Sequence, residues 1–388
     1  MTHRERFHAV LHGLPYDRMP CCAYGYWPET IDRWEAEGHL PVGTAEKYRE
    51  IRAHRLPDDS LLEREIDELL GFDFNAQSVY AEAFPLNCSL YPFFEEEIPQ
   101  TMPDGSRILR NYEGVIMLQK MNGSGGRVSG ISPHLEHTLV DRVSWEKEYK
   151  PRLQFTESRF DPVEMELLRL ESTKRERVLG LHCGSMLGQL RNWMGFEDFC
   201  CLPVEDPELF EDMVDTIGEL LYRNVEFQLK SGIVFDYAHF WEDLCCNNGA
   251  MVIPRVYYHK VGPWYRRITE LLKEYGIDLV TVDCDGKVDM LVPTWIENGI
   301  NVLFPIEYSV WGGSIAPFRE KYGYGLRGIG GMRKLVLGED RSAIDAELER
   351  LKPLVELGGY IPCPDHRISP EATWENVRYY TERFKEIF

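Results

Sequence analysis

Positive charge is scarce in this chain: 43 Lys and Arg stand against 64 Asp and Glu, a formal net charge of −21. A surface that acidic repels nucleic acid and anionic lipid, so neither is expected as a partner. Long apolar runs are missing as well; none reaches the roughly 18 residues that crossing a bilayer takes. The stretch Met1-Thr2-His3-Arg4-Glu5-Arg6 is polar and has no apolar segment of the signal-peptide kind. The expectation is a cytoplasmic protein without a membrane partner. There is no CxxC among the ten cysteines, which leaves a zinc ribbon unsupported. Three pairs are adjacent (Cys21-Cys22, Cys200-Cys201, Cys245-Cys246), as suits reduced thiols packed as small hydrophobes. Internal repeats, low-complexity tracts and long linkers are also lacking, so residues 1–388 are read as a single domain.

What is present is ample core material: 44% hydrophobic residues, with 18 Phe, 20 Tyr and 9 Trp, which excludes disorder. The amino-terminal third is irregular. Pro20–Gly25 reads as a strand and Pro28-Glu29-Thr30 opens a helix, while an antiparallel insert is expected at about 90–130. Its turn signals are Pro103-Asp104-Gly105 and Glu113-Gly114, and Asn122-Gly123-Ser124-Gly125-Gly126 is a loop that can serve as a lid. From about residue 175 short apolar strands alternate with helices. The strands are expected at 178–181, 233–237, 278–282, 300–305, 327–329 and 359–362. This pattern predicts an α/β fold, a TIM-type (β/α)8 barrel with polar groups gathered past the strand ends. An open doubly wound sheet is the alternative.

Gly323-Tyr324-Gly325-Leu326-Arg327-Gly328 matches GxGxxG, but a helix precedes it and a strand follows, the reverse of a dinucleotide fingerprint. Past that strand, Arg333 and Lys334 can reach an anionic group. His182 and Cys183 are neighbours on a strand and face opposite ways, so they do not serve one ion. Asp236-Tyr237-Ala238-His239-Phe240-Trp241-Glu242-Asp243 sets ionisable groups among aromatics, a polar constellation beside an apolar wall. His239 and Glu242 are catalytic candidates there; Phe240, Trp241 and Asp243 are candidate binding residues. In Val282-Asp283-Cys284-Asp285-Gly286, the two aspartates are two apart and can face the same way. Such a pair binds a metal or does acid–base work. Pro364-Asp365-His366-Arg367 follows the last strand; in a closed barrel His366 faces Asp283 and Asp285 across the mouth. Glu307 is a further inward carboxylate candidate.

Taken together, Gly184-Ser185-Met186-Leu187, Arg191-Asn192-Trp193-Met194-Gly195, Trp241-Glu242-Asp243, Asp283-Cys284-Asp285-Gly286, Pro305-Ile306-Glu307 and Pro362 to His366 resemble the uroporphyrinogen decarboxylase superfamily. The resemblance is closest to its methyltransferase-like, corrinoid-linked branch and covers roughly residues 170–388. It implies a TIM-type barrel and two candidate activities. The decarboxylases grip substrate carboxylates with arginines of an Arg-Gln-Ala-Gly-Arg-Tyr stretch. Here Tyr24-Gly25-Tyr26-Trp27-Pro28-Glu29 stands in that place with no arginine, which argues against a porphyrinogen. Asp73 is left unassigned as a counterpart of the decarboxylase aspartate. The methyltransferases hold zinc with a His-x-Cys-Gly stretch and a later Cys. The resemblance lays Asp283, Asp285 and His366 on those positions, so soft ligands have become harder ones. It thus implies a cobamide carried by a partner corrinoid protein and a divalent metal, zinc among the candidates, at Asp283, Asp285 and His366. The methyl donor is a small methylated compound. Tyr24, Tyr26, Trp27, Phe240 and Trp241 as an aromatic pocket suggest a methoxylated aromatic, with Arg333 near an anionic group. The rival activity is cofactor-free decarboxylation of another substrate; a non-enzymatic corrinoid-binding scaffold is a third reading. Assembly as a homodimer stays open.

Overall fold

The computed structural model describes residues 1–54, 58–76, 89–120 and 132–388; the glycine-rich stretch 122–126 lies outside them. The architecture is mixed α/β around a parallel sheet. Its strands are β1 (Cys22–Ala23), β2 (Phe74–Asn75), β3 (Glu97–Thr101), β4 (Arg107–Arg110), β5 (Ile116–Gln119), β6 (His134–Glu136), β7 (Gly180–Gly184) and β8 (Tyr237–Trp241). They continue with β9 (Cys245–Cys246), β10 (Gly249–Ala250), β11 (Val280–Asp283), β12 (Val302–Ile306), β13 (Arg327–Met332) and β14 (Tyr360–Pro364). Six strands form one sheet in the order β14-β13-β12-β11-β8-β7, every neighbouring pair parallel. β1 and β2 pair in parallel on their own. The insert is a four-stranded antiparallel sheet, β3-β4-β5-β6, reaching residue 136 and so longer than the sequence suggests.

A parallel sheet covered on both faces needs strands apolar on both sides, and β12, Val-Leu-Phe-Pro-Ile, is buried throughout. The helices that cover it are amphipathic and capped. Pro207–Lys230 starts on Asp206, whose side chain accepts from the Leu209 N–H, and turns Phe210, Met213, Val214, Ile217, Leu221 and Val225 inward. Burying each such side chain contributes about 1.5–3 kcal/mol. Arg341–Glu356 and Trp374–Ile387 are capped in the same way by Asp340 and Thr373.

Every late strand ends further along the chain than its apolar run indicates, and β8 is displaced most, from 233–237 to Tyr237–Trp241. The cause is that polar residues stay in the ladder: His239 pairs with Thr281, and Asp283 with Trp241 and Phe304. As a result Asp236 precedes β8 instead of following it. It is bound there by Arg175 (2.6 Å), Arg4 (2.5 Å) and His8 (3.1 Å). Asp73, just before β2, pairs likewise with Arg18 at 2.5 Å. Both aspartates belong to the strand starts, the end away from the candidate site. The helix His3–His12 lies against that end and sends Arg4 and His8 to Asp236 and His12 to Asp278 (2.9 Å).

The segment after β1 connects with the exit of the last strand. Tyr26 makes a parallel bridge with Ile368. The Ile368 N–H donates to the Gly25 carbonyl at 2.9 Å, and the Trp27 N–H to the Ile368 carbonyl at 3.1 Å.

Candidate active site

The register sets two rows of side chains across the sheet. His182, His239 and Thr281 share one row; Trp241, Asp283 and Phe304 share the next, nearer the strand ends. Beyond them the chain leaves β8 through Asp243 and β11 through Asp285. Carboxylate oxygens of Asp243, Asp283 and Asp285 lie within 4.8 Å of one another. The Asp285 N–H donates to Asp243 Oδ1 at 3.0 Å. Asp243 has φ 48°, the left-handed region that few residues other than glycine adopt. Arg191 fixes this turn by donating to the Asp243 carbonyl. Burial, then the neighbouring Asp285, pushes the Asp243 carboxyl up to about 7.

His366 reaches the cluster from the loop after β14, with Nε2 3.5 Å from Asp285 Oδ2. Its ring stacks on Tyr24 (5.0 Å between centroids) and on Trp27 (5.6 Å). Tyr24 stacks in turn on Phe304 (5.0 Å), which stands 6.0 Å from His239. The carboxylates therefore sit beside a continuous aromatic wall. Two atoms of the Asp285–His366 pair, Asp285 Oδ1 and His366 Nδ1, are buried without a hydrogen-bond partner among the described residues. Unpaired buried polar atoms are costly. A ligand or ion that met them would remove that cost.

The remaining candidates divide. Glu307 joins the cluster's edge: it accepts from the Gly286 N–H at 2.5 Å, and burial followed by Asp285 raises it to about 7. His239 lies deeper, hydrogen-bonded to Thr281 Oγ1 at 2.6 Å, its pKa held well below the usual range by burial and by His182. Glu242 is fully buried on the opposite side of β8. Its carboxylate is occupied by the N–H groups of Met186, Leu187 and Gly188, by Ser185 Oγ and by the Tyr265 hydroxyl. Phe240 also faces away from the cluster, edge-on to Tyr265 (5.1 Å). Trp241 lies under the Arg191 guanidinium, 5.8 Å from its carbon. Tyr26 gives its hydroxyl to Asp67, and Arg333 pairs with Glu339 at 2.8 Å on the surface. The three-ligand group that forms contains Asp243 in place of the expected His366. The reason is the tight turn after β8, which no apolar pattern encodes. Cys284 points off the other way, its sulfur accepting from the Leu244 N–H at 3.3 Å.

Two further groups help build the site. Asp365, buried beside His366, accepts from the Ser309 and Lys334 N–H groups (2.5 and 3.2 Å) and so ties three strand-end loops together. Lys334 brings a cation toward Asp365, Glu307 and Asp285; burial lowers its pKa against their pull. Position past a strand end is the sequence signal for both: Lys334 was expected there as a cation able to reach an anionic group, and Asp365 stands next to His366.

An α/β protein with acids and aromatics gathered past parallel strand ends is what fold and site together define. Comparison with solved structures finds a methyltransferase from Methanosarcina mazei that is 14% identical, with 100% of this chain and 99% of that one aligned and a TM-score of 0.58. The two chains share a fold. A structure described as a vitamin-B12 independent methionine synthase from Listeria monocytogenes is also 14% identical over 96% and 98% of the chains. Its TM-score of 0.43 is too low to carry an argument. No protein-family model and no curated protein matches the chain.

Proposed function

We propose that this chain is a methyltransferase that moves a methyl group from a small methylated compound to a cobamide carried by a partner corrinoid protein. The observation carrying this reading is the trio Asp243, Asp283 and Asp285 beside His366, set against the Tyr24–Trp27–Phe304 wall. The shared fold with the M. mazei methyltransferase supports it. We also propose that β1 and β2 join the six-stranded sheet as an eight-stranded TIM-type barrel of one domain. Tyr24, beside β1, stacks on Phe304 of β12, and Tyr26 bridges Ile368; a curled sheet brings these pairs together.

The donor set suits a divalent cation. Three carboxylates in one patch form a hard-ligand site; among the described residues one oxygen of Asp285 is buried without a partner and no thiolate joins the patch. When bound there, such an ion supplies Lewis-acid polarisation of the methyl-bearing heteroatom. The chain's own groups do the rest. The aromatic wall excludes water and orients the donor. As the methyl–heteroatom bond breaks, the methyl carbon goes to the cobamide acceptor and the bonding pair stays on the heteroatom. Glu307, at the cluster's edge and outside the ligand trio, with its carboxyl raised to about 7 by burial and then by Asp285, gives that heteroatom a proton, which an alkoxide or phenoxide leaving group needs.

The test is incubation of purified protein with cob(I)alamin and a panel of methyl ethers and methylamines, alongside metal analysis. Formation of methylcobalamin from one class supports the reading. Carbon dioxide release from a carboxylated substrate, with no methylation by any donor, replaces it with the decarboxylase.

A further inference from the structure

At the rim beside the carboxylates lies a small group of basic side chains, one of which, Arg191, also fixes the Asp243 turn. Arg191, on the helix Gly188–Met194, holds the Asp243 carbonyl through one nitrogen and Asn192 Oδ1 through another (3.1 Å), with Trp241 beneath it. One turn on, Gly195 ends that helix, its N–H bonded to the Arg191 carbonyl at 2.9 Å. The His137 ring packs onto Gly195 so closely that a Cβ there would come within 2.7 Å of it. His134, on β6 of the insert, stands edge-to-face with His137 at 5.3 Å. The insert thus lays two imidazoles against the helix that carries Arg191.

These groups are basic neighbours in an acidic protein, yet no ion pair joins any of them to a described carboxylate. The buried Nδ1 of His137 has no hydrogen-bond partner among the described residues. Burial, and after it His137 and Arg191, lower the His134 pKa, so the like charges oppose one another. A set of this kind is completed by an anion. Guanidinium and imidazole N–H groups together suit the two or three oxygens of an oxyanion.

We propose that Arg191, His134 and His137 form an oxyanion subsite at the rim, separate from the Asp243–Asp283–Asp285 cluster. Two ligands of the proposed reaction present such a group: a carboxylate on the methyl donor, and the nucleotide phosphodiester of the cobamide. The identity of these ligands rests on the methyl-transfer reading; the existence of the subsite does not. A donor carboxylate at Arg191 would hold the far end of a molecule whose methyl-bearing end lies at Asp285, which makes the preferred donor a methylated acid.

Equilibrium binding by calorimetry tests this without turnover. One arm compares 3-methoxybenzoate with 3-methoxybenzyl alcohol; the other compares cobalamin with cobinamide, which lacks the phosphodiester. The wild-type protein should prefer the anionic member of at least one pair by about tenfold, equivalent to roughly 1.4 kcal/mol. His134→Gln and Arg191→Gln should erase that preference, and the pair affected names the source. His134 stands on β6 with its ring against His137, so its variant reports even where Arg191→Gln perturbs the Asp243 turn. Absence of preference in both pairs, or a preference that survives both substitutions, overturns the subsite. Anion preference lost in the variants, in a protein that methylates no cobamide, keeps the subsite and removes the methyl-transfer reading.

Discussion

Asp285 is the residue on which the proposed chemistry turns. It lies between Asp243 and His366, and one of its oxygens is buried without a partner. Asp285→Asn keeps shape and removes charge, so it should lower kcat/KM for cobalamin methylation by on the order of 10²–10⁴ while leaving the thermal midpoint nearly unchanged. A midpoint that drops with activity intact would assign Asp285 to structure alone. Glu242 is expected to behave in the opposite way. Its carboxylate receives five donors, and Glu242→Gln turns one acceptor into a donor facing donors. Denaturant titration should show a loss of about 1–3 kcal/mol or more, with activity falling only as far as the folded fraction does. Sequence alone set Glu242 and Asp243 side by side as candidates of one loop. The left-handed turn at Asp243 separates them, and where the strand ended was the detail that the apolar pattern left open. Asp283 and Asp285 were legible as a pair from their spacing of two; β11 ends at Asp283, and Asp285, just past it, still lies beside Asp283.

At the scale of elements, the hairpin β9–β10 is braced against the loop after β11. Gly286 has φ +87°, and a Cβ there would lie 2.6 Å from the Cys245 carbonyl oxygen. Gly286→Ala should therefore cost about 1–3 kcal/mol and displace Asp285 with it, measured as a lower urea midpoint together with reduced turnover. Unchanged values for both would show that the hairpin yields freely. The strand–helix alternation after residue 175 could be read from the chain because apolar runs and caps repeat. β1 was legible within Pro20–Gly25, whereas β2 was not, since its two residues, Phe74 and Asn75, carry no periodicity. Tyr26 shows the same limit: next to Tyr24 and Trp27 it looked like pocket lining, yet its hydroxyl is committed to Asp67, a partner 41 residues away that local pattern cannot reveal.

For the whole molecule, the two ends of the parallel strands divide the work: ion pairs knit the starts, and the carboxylate cluster occupies the ends. Asp236 anchors the first of these. Burial raises its pKa, but hydrogen bonds and charge from His8, Arg175 and Arg4 outweigh it and hold the carboxyl below its ordinary 3.8. A folded-state pKa below the unfolded one adds stability above the unfolded value, and that stability is lost as pH falls through the folded value. Asp236→Asn should thus destabilise strongly at pH 6, by about 3–5 kcal/mol for a broken buried pair. The gap to wild type should narrow once the pH passes below the ordinary value; a gap constant from pH 6 to 3 would show that Asp236 does not act through its charge. A mixed α/β architecture around a parallel sheet was legible at this scale, while the antiparallel insert's length and its contact with Gly195 depend on pairings across the chain. The central claim is methyl transfer at the carboxylate cluster, and the absorbance change on mixing cob(I)alamin, enzyme and a methyl donor tests it most directly. The account predicts conversion to methylcobalamin by wild-type protein and its loss in Asp285→Asn. Cob(I)alamin left unmethylated by every donor, while a carboxylated substrate releases carbon dioxide, would contradict it.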